Sequence, residues 1–123
     1  MPAKILAIDD SRMVHMVITK ALRPLDVEVL TAINGQEGLE KAEKDQPDLI
    51  LLDIGLPWIN GYELAELMKA HADLSRVPIV FVSGQDDIPA MKRGFSVGAH
   101  DFIAKPFDVH TVRKTVRTLL ELS

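Results

Sequence analysis

Cysteine is absent from the 123 residues, which excludes disulfides and cysteine-ligated zinc or iron–sulfur centres. Apolar runs never exceed a handful of residues, far short of the ~20 that a membrane-spanning helix needs. The amino-terminal stretch reaches Asp9 and Asp10 before a signal-peptide h-region can develop, so the expected location is cytoplasmic. Positive charge is in deficit, with 14 Lys and Arg against 18 Asp and Glu and a formal net charge of -4. That balance supplies no global attraction to nucleic acid or to an anionic membrane. Linkers, low-complexity tracts and internal repeats are missing too, so a single domain over residues 1–123 is expected. What remains is ordinary globular composition, 47% apolar and 26% charged.

Five short apolar runs recur: Ile5–Ile8, Val27–Leu30, Leu49–Leu52, Ile79–Val82 and Phe102–Ala104. Nearly continuous runs of this kind suit strands of a parallel sheet covered on both faces. Val27-Glu28-Val29 alternates instead, which places the second strand near an edge. Helical spacing fills the intervals. Val14, Val17, Ile18, Ala21 and Leu22 mark one apolar face, stopped by Pro24. Asn34 with Glu37 predicts a capping box on the second helix. Leu64, Leu67 and Met68 line a third, after the turn signal Asn60-Gly61. Pro89 suits the first turn of a fourth, with Ile88, Met91 and Phe95 inward and Gly98 near its end. Val109, Val112, Val116, Leu119 and Leu120 mark the last. Strand–helix alternation repeated five times predicts a doubly wound α/β domain.

In such a sheet, ligands bind beyond the carboxyl ends of the strands. Asp9-Asp10 follow the first run, Asp53 the third, Ser83 the fourth and Lys105-Pro106 the fifth. Four strands thus deliver three acids, a hydroxyl and an amine to one edge. Two like charges ~4 Å apart repel by about 4 kcal/mol at an effective dielectric of 20, so such a cluster raises a pKa or binds a cation. Oxygen ligands with no His or Cys in the set favour Mg²⁺ or Mn²⁺. Mg²⁺ accepts phosphate oxygens, Lys105 offers a compact cation to a phosphoryl group, and Ser83 offers a hydroxyl donor. A carboxylate can itself be the nucleophile, and Asp53 is the candidate because it ends the central strand alone.

The set Asp9-Asp10, Asp53-Ile54-Gly55-Leu56-Pro57, Ser83-Gly84 and Lys105-Pro106 closely resembles the receiver domain of two-component response regulators. The resemblance covers essentially the whole chain. It implies a flavodoxin-like (βα)5 fold with a five-stranded parallel sheet in the order 2-1-3-4-5. It also implies that Asp53 takes a phosphoryl group from a phosphohistidine on a sensor histidine kinase or phosphotransfer protein. Asp10 would ligate Mg²⁺ directly, Asp9 through a metal-bound water, and Asp53 and the Gly55 carbonyl would complete the protein ligands. Ser83 and Lys105 would hold the new phosphoryl group, and Phe102 would act as the switch aromatic. The Lys105–Pro106 bond is expected to be cis. On this reading the chain catalyses only its own phosphorylation and dephosphorylation. The last two helices and fifth strand form its output surface, which acts on a downstream effector protein or an output domain outside these residues. Ser83 stands where Thr is commoner, Gly84 where Ala is, Gly55 where Met or Asn is, and Leu56 where Met is. Gly55 and Gln85 fall at places where family members tune hydrolysis, so Gly55→Asn and Gln85→Ala are expected to change the lifetime of the phosphorylated state.

Other readings fit the sequence less well. A haloacid dehalogenase-type phosphatase carries Asp-x-Asp at its first strand end, whereas Asp9 and Asp10 are adjacent. A flavodoxin-type site needs a Ser/Thr/Gly-rich phosphate loop there, and a dinucleotide site needs G-x-G-x-x-G; neither is present. A phosphohistidine-transfer protein is all helical. A pseudo-receiver, serving only as an interaction module, is the alternative of another class, and loss of an acid or the lysine is its signature. Among the residues outside the set, His15, His71, His100 and His110 lack metal-ligand spacing and are expected at the surface or in packing. Arg113, Lys114 and Arg117 are expected on a solvated face, and Trp58 exposed on a loop.

Overall fold

The computed structural model describes residues 2–84 and 88–121, with the side chain of residue 88 outside that description. Strands and helices alternate: β1 (Ala3–Ile8), α1 (Arg12–Leu22), β2 (Val27–Ala32), α2 (Gly35–Asp45), β3 (Leu49–Leu52), α3 (Gly61–Ala70), β4 (Ile79–Ser83), α4 (Ile88–Ser96), β5 (Asp101–Ala104) and α5 (Val109–Leu119). All strands run parallel in the order β2-β1-β3-β4-β5. This is the flavodoxin-like arrangement, and β2, the alternating segment, lies at an edge.

The pleat sorts the core into two layers. Leu6, Ile8, Ile50, Leu52, Ile79 and Phe81 pack with Leu64, Ala65 and Met68 of α3 and Ala42 of α2. Ile5, Ala7, Leu49, Leu51, Val80, Val82 and Ile103 face Ile18, Ala21 and Leu22 of α1 and Val112 and Val116 of α5. Successive strand residues point to opposite faces, so a strand buried on both must be apolar throughout. All four residues of β3 are buried.

Some helix positions differ from the periodicity reading. Leu67 is 49% exposed and Phe95 46% exposed rather than inward. At roughly 100° per residue, Leu67 turns away from the face centred on Leu64, Ala65 and Met68. In α4 the inward position belongs to Gly94, where a Cβ would stand 3.0 Å from the Phe81 ring, and Phe95 is rotated off it. Arg113 is not on a solvated face: it is half-buried, and its Nε donates to the Ala21 carbonyl at 2.8 Å, tying α5 to the end of α1. The caps are distributed differently as well. Asn34 Oδ1 accepts from Glu37 N–H at 2.8 Å, but the Glu37 carboxylate pairs with Lys41. The reciprocal box is Asn60–Glu63 at the start of α3.

Candidate functional site

Register brings the polar strand ends together. Ile8 is abreast of Leu52, and Leu52 of Phe81, so Asp9 and Asp53 emerge side by side one residue beyond β1 and β3. Ser83 is abreast of Ala104, which puts Lys105 one step past the end of β5. Backbone bonds continue past the ladders and fix these residues: Asp53 N–H donates to Ile8 O at 2.9 Å, Asp9 N–H to Ala32 O at 3.0 Å, and Lys105 N–H to Ser83 O at 2.9 Å. Parity assigns their directions. Asp9, Asp53 and Lys105 continue the series of Ile5, Leu51 and Ile103 on the α1/α5 face, whereas Ser83 and Phe102 share the parity of Phe81.

One carboxylate oxygen from each of Asp9, Asp10 and Asp53 lies within 4.8 Å of the others. Among the described residues, Asp9, Asp53 and Ser83 are the buried polar ones, and Asp10 is exposed at the rim. Lys105 Nζ lies 2.8 Å from Asp9 Oδ2 and 3.6 Å from Asp53 Oδ1. Asp9 Oδ1 accepts from Ser11 N–H at 2.9 Å, and Asp53 Oδ1 accepts from Gly55 N–H at 3.3 Å. Burial, then the neighbouring Asp9, push the Asp53 carboxyl above its ordinary range, and Lys105 only partly opposes them. Among the described residues, three carboxylates face one ammonium, so acidic groups outnumber basic ones by two. The donor set is oxygen, crowded and partly desolvated, so it fits a hard divalent cation.

Around this centre the loops are built tightly. Gly61 N–H donates to Ile54 O at 2.8 Å, and a Cβ on Gly61 would stand 2.4 Å from the Asp53 carbonyl oxygen. Only glycine lets α3 start so close to the end of β3. Gly55 faces open space, with no atom of the described residues beyond its chain neighbours within 4 Å of a Cβ placed there. Trp58 is 89% exposed with φ of 67°, as a loop aromatic beside the site. The Lys105–Pro106 bond is cis. Phe102 is half-buried, 6.2 Å from Phe81, whose ring meets Tyr62 edge-on at 5.4 Å. Arg93 of α4 sits 4.3 Å above the Tyr62 ring.

Asp9, Asp10, Asp53, Gly55, Ser83 and Lys105 lie at this edge, Phe102 lies inside β5 abreast of Phe81, and Gln85 is outside the described residues. His15, expected at the surface or in packing, is half-buried beside the site. His15 Nε2 lies 2.6 Å from the Asp9 carbonyl oxygen. Side chains on a helix lean toward its N-terminus, so a residue one turn into α1 covers the turn carrying Asp9 and Asp10.

The model of the response regulator receiver domain matches residues 5–117. The chain belongs to that family. Among its relatives, the receiver resembles Protein PilH of Pseudomonas aeruginosa, 33% identical over 118 residues, which cover 96% of this chain and 98% of that protein. It is 32% identical to the alkaline phosphatase synthesis transcriptional regulatory protein PhoP of Bacillus subtilis, where the match covers 100% of this chain and 50% of PhoP. The chain therefore spans nearly all of PilH but half of the transcriptional regulator. The chemotaxis response regulator CheY4 of Vibrio cholerae superposes with a TM-score of 0.91 at 30% identity, covering 97% of this chain and 99% of that one. Among the described residues, no helix is long and apolar enough to cross a membrane.

Proposed function

We propose that this receiver is a working phosphoacceptor, with Asp53 as the nucleophile. The observation that carries the reading is the imbalance of three clustered carboxylates against Lys105, with Asp53 held above its usual pKa. A site built for interaction alone gains nothing from that repulsion. Asp9, Asp10 and Asp53, with the Gly55 carbonyl, would hold Mg²⁺, which when bound neutralises charge on the acids and on phosphoryl oxygens.

The chain's own residues supply the rest. An Asp53 carboxylate oxygen attacks phosphorus in line. The phosphorus–nitrogen bond of the donor phosphohistidine breaks, and its electron pair leaves with the imidazole. Lys105 is already within 3.6 Å of Asp53 and turns its ammonium to a phosphoryl oxygen as charge builds there. Ser83 donates its hydroxyl to another. Since Ser83 and Phe102 share one face, movement of Ser83 toward phosphate opens space into which Phe102 turns. That changes the surface of α4, β5 and α5 offered to an effector. Reversal is hydrolysis of the acyl phosphate by water, so the chain acts only on itself. The donor is a sensor histidine kinase or a phosphotransfer protein, and the acceptor of the signal is another protein or an output domain.

Intact-mass measurement after incubation with acetyl phosphate tests this. One phosphoryl group is expected in the presence of Mg²⁺, none in EDTA, and none with Asp53→Asn. No label under any of these conditions would refute the phosphoacceptor and favour a phosphorylation-independent interaction module.

A further inference from the structure

His15 is set partly inside α1, on the side of the helix facing the Asp9–Ser11 turn. A carbonyl oxygen only accepts, so the 2.6 Å contact with Asp9 O requires the proton on His15 Nε2. The other nitrogen, Nδ1, is buried with no hydrogen-bond partner among the described residues. Burying a bare polar atom is unfavourable, and an apolar residue at this position would avoid it. Val14, Ile18, Ala21 and Leu22 already pack α1 against the sheet. Among the described residues, the ring's compensating hydrogen bond is the one to Asp9.

That bond falls at a particular place. The Asp9 carbonyl belongs to the planar peptide joining Asp9 to Asp10, and both carboxylates hang from its two ends. Ser11 N–H holds the Asp9 side chain at 2.9 Å, and Ala32 O accepts from Asp9 N–H at 3.0 Å. Neither bond acts on that peptide's own carbonyl, and the His15 bond does.

We propose that His15 is a positioning residue whose Nε2–H presets the Asp9–Asp10 peptide, so that both acids are oriented for a divalent cation before it arrives. The proposal rests on the reading of the acidic cluster as the cation site. A preset site loses less ordering entropy on binding, so the effect belongs in metal affinity rather than in folding.

Three substitutions separate positioning from packing. Leucine fills the space without a donor. The amide nitrogen of asparagine reaches the position of Nδ1, whereas that of glutamine reaches the position of Nε2. Mg²⁺ binding is measured by calorimetry on the whole chain, with thermal melts in EDTA alongside. His15→Leu and His15→Asn are expected to weaken Mg²⁺ by about fivefold, the value of one hydrogen bond, while His15→Gln stays within about twofold of the unaltered chain. In EDTA the leucine variant should melt close to the unaltered chain, since it exchanges the bond to Asp9 for removal of an unpaired buried nitrogen. Equal Mg²⁺ affinity in all four proteins, affinity losses that follow melting temperature, or glutamine failing to rescue would overturn the proposal. If the unaltered chain takes up no Mg²⁺, the cation-site reading itself has failed, and the proposal with it.

Discussion

Asp53 is set against its own ionisation by burial and by Asp9. A carboxyl whose folded pKa is raised binds its proton more tightly folded than unfolded. Its contribution to stability is therefore full at low pH and is lost as pH rises through the folded value. Asp53→Asn removes that loss, so in EDTA at neutral pH the variant should melt higher than the unaltered chain. About 1 kcal/mol moves a domain of this length by roughly 3–6 °C, and the gain should fade below the carboxylate range. Melting curves at both pH values check this, and an equal gain at both would contradict it. Lys105→Met removes an ammonium that faces both Asp9 and Asp53. Phosphorylation from acetyl phosphate should slow on the order of 10²-fold, as for loss of one charge-stabilising donor, measured by intact mass over time. Gly55→Asn enters open space without a clash, so any change in the decay of the phosphorylated form reports on water access and not on misfolding.

At the scale of elements, the helix starts decide how firmly the acids are held. The Asn60–Glu63 box caps α3 directly after the Asp53 loop. Asn60→Ala should cost about 1 kcal/mol in urea denaturation. Gly61→Ala should cost more, about 1–3 kcal/mol, because its Cβ meets the Asp53 carbonyl oxygen and the Ile54 Cα, which are backbone and yield little. Gly38→Ala is the comparison. Its Cβ meets Ile8 at Cδ1, Cγ1 and Cγ2, a buried β-branched side chain rather than backbone, so its cost should be of the same order, through overpacking of the core instead of displacement of the Asp53 loop. Helix faces were legible where apolar side chains fill them, as in α1 and α5, and misread where a small residue does the packing. In α4 a glycine lies against Phe81, so periodicity of large side chains pointed to Phe95 instead. Arg113 was likewise misread, because a charged side chain in a basic run carries no mark of the carbonyl it will reach 92 residues away.

For the whole molecule, the two core layers hold a sheet whose strand ends carry the chemistry, and stability and cation binding should be linked. Mg²⁺ at a hundredfold its dissociation constant should stabilise the fold by about 2.7 kcal/mol, seen as a rising melting temperature. Asp10→Asn should shrink that rise. Asp10 is at the exposed rim, so the substitution leaves the core intact and the loss belongs to the cation.

By itself the sequence determined the class of fold, because five apolar runs alternating with helical spacing admit a doubly wound sheet and little else. It also determined which residues stand at the strand ends, since Asp9, Asp10, Asp53, Ser83 and Lys105 follow the runs directly. The tertiary structure decided how they meet. Register set Asp9 beside Asp53, and Lys105 came to lie between them from the far end of the chain. The unpaired nitrogen of His15 and its grip on the Asp9 peptide are likewise properties of packing. Local pattern reports which face a residue prefers, whereas a carboxyl's pKa and a ring's partner depend on atoms brought close only when strands distant in sequence align.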